Sequence, residues 1–210
     1  MRTARTLSRN ASSFKPGVGG RRLPPLILVT DPDRTPDPAA LAGRLPRGCG
    51  VIFRAFGRKG AGETARKLAA AARRRGLVLL IGADELRAAG AGVHLPERMA
   101  RRAGPLKRAR PGVMVTAAAH SLTALIRARR AGADAALLST VFASLSPSAG
   151  RPLGAVRFAA LVRKAGLPVY ALGGVGTKNA PRLLGSGAAG LAMVEGLANA
   201  LKQAARPVAP

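Results

Sequence analysis

Eight short apolar segments, separated by Ala-rich stretches of helical period, set the limits on what this chain can fold into. They are Leu26–Thr30, Gly50–Arg54, Leu77–Ile81, Gly92–Leu95, Val113–Thr116, Asp134–Ser139, Pro168–Leu172 and Ala189–Val194. Each is apolar throughout rather than alternating, the pattern of parallel strands buried on both faces. Helical patterns lie between them, at Gly62–Arg75, Ser121–Arg130, Gly154–Lys164, Thr177–Ser186 and Gly196–Gln203. Strict alternation of strand and helix argues for a parallel α/β fold. Eight units favour a closed (β/α)8 TIM barrel over a doubly wound sheet, in a region of about 180 residues that is compact beside the usual ~250. No break in composition interrupts residues 23–204, so one domain is expected there, followed by a short tail at 205–210.

The first 22 residues differ from the rest. They carry six basic residues and no acid, with several Ser and a Gly/Pro-rich end. Such a segment cannot bury a core, and it is expected to be a flexible basic leader. Its Arg/Ser-rich, acid-free look is also that of a transit peptide, and it lacks the apolar stretch of a secretory signal.

The whole chain of 210 residues has 35 Lys+Arg against 9 Asp+Glu, a net charge of +26. With 48% hydrophobic residues it is nevertheless no basic tail, because that is enough apolar material for a core. No apolar run approaches the length of a membrane span, so no membrane partner is expected. The single Cys49 excludes an intramolecular disulfide and fits a reducing, cytoplasmic setting. Aromatics make up only 3%, too few for base-stacking platforms, so nucleic acid is expected to bind non-specifically if at all.

Part of the charge has a structural use. The motif of two or three basic residues before a glycine recurs as RRRG (Arg73–Gly76), RRAG (Arg101–Gly104), RRAG (Arg129–Gly132) and RKAG (Arg163–Gly166). Cations in a last helical turn complement the helix dipole, and the glycine supplies a left-handed cap. Three copies lead at once into an apolar run, while the second enters PLKRARPG (Pro105–Gly112), expected to be a basic linker. Nine of the 35 basic residues are thereby assigned to helix ends.

Chemistry in such a barrel is sought just after the strand C-termini. Following the seventh run is LGGVGTKN (Leu172–Asn179), where Gly173 and Gly174 let backbone amides approach a ligand and Thr177 can cap the next helix. Following the eighth, Met193–Gly196 opens the last helix and offers Val194 and Glu195. Glycine-rich loops backed by helix N-termini form the usual phosphate cradle of this architecture, although Gly–Gly can also be only a tight turn.

The segments GVHLPE (Gly92–Glu97), AAAHSLTAL (Ala117–Leu125), STVFASLSPSAGRPLG (Ser139–Gly154) and YALGGV (Tyr170–Val175) resemble the thiamine phosphate synthase/TenI family in order and spacing. The resemblance spans about residues 23–204. It implies a protein of thiamine biosynthesis. The synthases join a hydroxymethylpyrimidine diphosphate to a thiazole phosphate with release of pyrophosphate, aided by Mg2+ and by cations on the leaving group. A sister branch, the thiazole tautomerases, moves only a proton and needs no metal, so an imidazole would suffice.

Carried over residue by residue, the resemblance is uneven. Arg54 keeps an arginine position after the second strand, but the Gln and Lys positions hold Ile52 and Phe56, with Arg58 and Lys59 further on. The Asn-Asp pair after the third strand becomes IGADE, where Asp84 or Glu85 would substitute as a metal ligand only in a shifted register. The second metal Asp falls near Met99, and Glu97 is the nearest carboxylate. Ala118 stands at the serine position before His120 and Ser121. Ser144 and Ser146 replace two Thr in the loop after the sixth strand, and Pro147 replaces its Lys, with Arg151 the nearest cation. The implied phosphate site is thus retained while the Mg2+ and pyrophosphate groups are eroded.

The expected site comprises His120 and Arg54 as catalytic residues. Arg54, Lys59, Ser144, Ser146, Arg151, Gly173, Gly174, Val194 and Glu195 are the phosphate and substrate ligands. His94, inside an apolar run, is expected to be structural, and Asp84 and Glu85 also fit as dipole partners of a helix start. Three readings stay open: a synthase-type transferase on a phosphorylated small molecule, a metal-independent tautomerase using His120, and a degenerate phosphate- or nucleic-acid-binding barrel. A homo-oligomer fits any of them.

Overall fold

In the computed structural model the described residues are 23–82, 90–146 and 149–203. Eight parallel strands close into a barrel in sequence order: β1 (Leu26–Val29), β2 (Gly50–Phe53), β3 (Val78–Gly82), β4 (Gly92–Leu95), β5 (Val115–Ala119), β6 (Ala135–Leu138), β7 (Val169–Ala171) and β8 (Gly190–Met193). Each of the eight apolar runs contributes to a strand, the fifth shifted to Val115–Ala119 from the expected Val113–Thr116. The leader (1–22), Asp84, Glu85, Pro147 and the tail (205–210) lie outside the described residues.

Among the described residues six α-helices cover the barrel: α1 (Pro38–Gly43), α2 (Ala61–Arg75), α3 (Ala103–Ala109), α4 (Leu122–Arg130), α5 (Gly154–Ala165) and α6 (Glu195–Gln203). Helix α2 shows why these stretches are helical. Its Ala65, Leu68, Ala69 and Ala72 form one buried face, Arg73–Arg75 fill the last turn, and Gly76 at φ 63° turns its N–H back to Ala72 and Arg73. Gly132 and Gly166 likewise adopt positive φ just beyond α4 and α5.

The second copy of the basic motif departs from this. Residues Glu97–Arg102 form a 3-10 turn that leads directly into α3, so Arg101 and Arg102 end the 3-10 turn and Gly104 lies in the first turn of α3 instead of capping a helix. Pro105 is tolerated in the first turn, where its missing N–H has no partner to lose. The expected linker Pro105–Gly112 is therefore largely helix. The pattern expected over Thr177–Ser186 shortens to a 3-10 turn at Ala180–Leu183, and Thr177 does not cap it. Asn179 holds that loop instead, its Oδ1 accepting from Gly176 N at 2.9 Å and its Nδ2 donating to Gly174 O at 2.8 Å.

The core has two parts. Between strands and helices lies the larger apolar layer, with Leu28, Val51, Phe53, Val115, Leu125 and Phe158. Inside the barrel, Ile27, Val29, Ile52, Leu80, Leu137, Tyr170 and Ala192 pack against one another. Tyr170 is fully buried and its hydroxyl donates to Pro24 O at 2.8 Å, closing the floor. Glycines make the space for these large residues. A Cβ at Gly190 would stand 2.5 Å from Pro25 O and 2.8 Å from the Tyr170 ring. Asp134 pins the same end, accepting from Val115 N at 2.7 Å and from Lys107 Nζ at 2.6 Å.

Replacing Gly190 by Ala forces Tyr170 or Pro25 to move. We expect Gly190→Ala to lower stability by about 1–3 kcal/mol in a urea titration. Gly43→Ala, where a Cβ meets nothing within 4 Å, should leave the midpoint within experimental scatter.

Candidate active site

At the C-terminal ends of the strands lies an open cleft of about 870 Å3. Of the expected ligands it is lined by Arg54, His120, Ser144, Ser146, Gly173, Gly174, Val194 and Glu195. Two expected ligands are not brought there. Lys59 lines a separate cavity of about 200 Å3 with Arg58, whose guanidinium is paired with Asp33. Arg151 is exposed and lines neither cavity.

One wall is built by the loops after β7 and β8. Gly173 (φ 89°) and Gly174 (φ 63°) take backbone conformations that L side chains rarely adopt. They also permit a close approach between loops. A Cβ on Gly173 would lie 2.9 Å from Thr140 Cγ2, and one on Gly174 would lie 2.5 Å from Phe142 O. The glycine pair therefore first serves packing against the β6 loop, which carries Ser144 and Ser146, and this brings those hydroxyls to the same wall. Val194 O accepts from Ala198 N, so α6 begins at Glu195 and the first-turn amides of Glu195 and Gly196 have no intrahelical partner. Amides at such an end are suited to an anion.

The opposite wall is cationic. Arg54 leaves the end of β2, and its Nε donates to Thr30 O at 2.9 Å. Its guanidinium lies 5.1 Å from the Phe56 ring centroid and 3.8 Å from Asp31 Oδ2. From the sequence, scarce acids left an anionic ligand as the expected partner of Arg54; the structure supplies Asp31 as well. Arg34, which the sequence reading missed, also lines the cleft. It donates to Asp31 Oδ2 at 2.8 Å and comes within 4.0 Å of Glu195. The hydrogen bond from Arg34 holds the Asp31 carboxyl below its usual range, outweighing the opposing effect of burial. Asp31 is thus shared by two guanidiniums, and Arg34 also reaches Glu195, so the cationic groups of this wall are held in one network with two carboxylates. TDPDRT (Thr30–Thr35) directly follows the first strand, so applying the strand-end rule there would have pointed to Arg34.

Two histidines face the cleft in different states. His94 is buried, and its Nδ1 lies 2.9 Å from Thr116 Oγ1. Burial, reinforced by the charge of Arg54, lowers its pKa to about 3, so the ring is neutral at ordinary pH. Thr116 is fully buried with no second acceptor among the described residues. Its hydroxyl therefore donates to Nδ1, because a buried O–H left without an acceptor is costly. That places the ring proton on Nε2. His120, at the end of β5, is exposed, and its Nδ1 is 2.7 Å from Glu97 Oε2. Ser121 begins the next helix, its hydroxyl accepting from Ala124 N at 3.1 Å.

The described donors do not assemble a magnesium site. Among the described residues no group of three His, Cys, Asp or Glu could hold a metal ion. Glu97 is engaged by His120 and Asp31 by Arg34. Cys49 is buried, its thiol pushed up to about 11, and takes no part.

The sequence profile described as "Thiamine monophosphate synthase" matches residues 26–197, the barrel from β1 into α6. The chain belongs to the thiamine monophosphate synthase family. It is 30% identical to the thiamine-phosphate synthase of Chlorobium luteolum over 185 residues, 84% of this chain and 86% of that protein. It is 36% identical to putative thiamine-phosphate synthase 2 of Aquifex aeolicus over 101 residues, a match that spans about half of either chain. The fold is shared with the thiamine phosphate pyrophosphorylase from Pyrococcus furiosus, at a TM-score of 0.67, 20% identity, and coverage of 86% of this chain and 96% of that one.

The buried His94 gives the family fold a pH dependence here. Its pKa falls from 6.5 to about 3 on folding, so between those values the unfolded chain binds the extra proton. Stability supplied by the neutral ring is present above pH 6.5 and is lost as pH falls towards 3. Denaturation midpoints measured from pH 7 to pH 4 should fall, and His94→Gln should have a shallower slope over that window.

Proposed function

We propose that this chain acts in thiamine biosynthesis as a thiamine-phosphate-synthase-type transferase. It binds a thiazole phosphate in the strand-end cleft and couples it to a hydroxymethylpyrimidine diphosphate. The observation that carries this is the pairing of two anion-binding walls across one cleft: glycine amides and a helix start on the β7/β8 side, Arg34 and Arg54 on the β1/β2 side. A volume of about 870 Å3 is at the upper end of small-molecule sites, suited to two substrates together.

In this reading the thiazole phosphate rests on the amides of Gly173, Gly174 and Gly196 with the hydroxyls of Ser144 and Ser146. The diphosphate lies towards Arg54 and Arg34. The thiazole nitrogen bonds to the pyrimidine methylene carbon as the C–O bond breaks, and the electron pair leaves with pyrophosphate. Charge develops on the departing oxygens, where preorganised guanidiniums stabilise it. A magnesium ion would lend further charge there, as the family implies, but the described carboxylates do not suffice to hold it. His94 Nε2–H offers a neutral hydrogen-bond donor from the barrel interior.

A second reading is favoured by one observation: Glu97 is bound to His120 rather than gathered with other carboxylates. Proton transfer on a thiazole phosphate by His120, tautomerase chemistry, needs no more than that pair. No helix among the described residues is long and apolar enough to cross a membrane, and we place the activity in the cytoplasm. Non-specific contact with nucleic acid accords with the net charge of +26, whereas a homo-oligomer would have to overcome the self-repulsion of that charge.

Thiamine phosphate formation from the two substrates, measured with and without Mg2+, tests the synthase reading. Arg54→Ala should lower kcat/KM on the order of 100-fold. Binding of thiazole phosphate without coupling, accompanied by tautomer interconversion, would select the second reading. No binding of thiazole phosphate in calorimetry would overturn both.

A further inference from the structure

Glu97 sits at the start of the 3-10 turn after β4, and one of its oxygens serves His120 twice. Oε2 accepts from the His120 backbone N–H at 3.0 Å and lies 2.7 Å from its Nδ1. The other oxygen, Oε1, lies 3.9 Å from Arg127 Nη1 on α4. A carboxylate can only accept, so the Nδ1 facing it carries the proton, and in the neutral ring Nε2 keeps its lone pair. The backbone bond fixes where His120 begins and the ring bond fixes how it turns, both from one atom. Nε2 is thereby left to the cleft that His120 and Glu97 both line. His94 has the opposite arrangement, with Thr116 placing its proton on Nε2. The cleft thus presents one imidazole as a donor and the other as an acceptor.

We propose that Glu97 is the positioning residue for His120, holding it in the Nδ1–H form so that Nε2 accepts a proton from a substrate in the cleft. The proton moves from a substrate carbon or nitrogen to Nε2, the substrate keeps the bonding electron pair, and the imidazolium formed is paired with the Glu97 carboxylate. The same proton returns from Nε2 to another substrate atom, so no co-reactant is required. This assigns the carboxylate nearest the expected second metal position to histidine orientation. It rests on the reading that the cleft holds a thiazole phosphate and that His120 acts on it.

The test uses the full chain and two variants. In 15N-resolved NMR of the ring nitrogens, wild-type His120 should show the Nδ1–H form at alkaline pH. Glu97→Gln, which keeps one accepting oxygen for both bonds, should preserve that form, whereas Glu97→Ala should shift the ring towards Nε2–H. For tautomer interconversion of the thiazole phosphate, Glu97→Ala should lower kcat on the order of 10- to 100-fold with KM changed less than threefold, and Glu97→Gln should recover part of the loss. In a His120→Gln background the Glu97→Ala effect should shrink below twofold. An unchanged ring form in Glu97→Ala, or an equal loss of kcat with and without His120, would overturn the proposal. If the wild type turns over neither substrate, the functional reading fails, and the ring form in Glu97→Ala alone decides the role of Glu97.

Discussion

Strand β8 pairs in parallel with β1, Leu26 opposite Leu191 and Leu28 opposite Met193, and this last ladder turns a sheet into a barrel. The approach is possible because Gly190 has no side chain where Pro25 O and the Tyr170 ring crowd in. Closure also sets the loop after β1 beside the loop after β8, which is why Arg34 comes within 4.0 Å of Glu195. Without this ladder the cationic wall from β1/β2 and the amide wall from β7/β8 would belong to opposite edges of an open sheet. The site is a consequence of closure.

Within that frame, charge is organised by sharing rather than by pairing off. Asp31 accepts from Arg34 and also lies near Arg54, and Glu195 comes within 4.0 Å of Arg34, so the two guanidiniums are held in place by carboxylates. An anion in the cleft meets positive groups already oriented, and little reorganisation is left for the moment of binding. The two histidines complete the polarity of the site through neighbours that differ in kind: a buried hydroxyl beside His94, a carboxylate beside His120.

The strands were legible because burial on both faces writes a continuous apolar run, a signal that needs no partner to be read. Helix ends were legible wherever a basic turn met a glycine, and unreadable at Arg101–Gly104, because the 3-10 turn from Glu97 carries the chain through a glycine without stopping. In the site, Arg54, His120, Gly173 and Gly174 follow from strand-end position. Arg34 and Asp31 were passed over because the loop after β1 carries no glycine or histidine to draw attention. Lys59 and Arg151 were placed by proximity in sequence, yet a loop of a few residues can turn a side chain away from the cleft, as it does here. Thr116 as the partner of His94 is a cross-strand relation between β4 and β5, and cross-strand register is not written in either strand alone.

The proposed function depends above all on the β7 and β8 loops receiving the phosphate of a thiazole phosphate. A crystal structure of the chain soaked with thiazole phosphate measures this directly. The phosphate should rest on the amides of Gly173, Gly174 and Gly196 with the ring turned towards His120. A phosphate seated instead on the Arg58/Lys59 cavity, with the strand-end cleft empty, would contradict it.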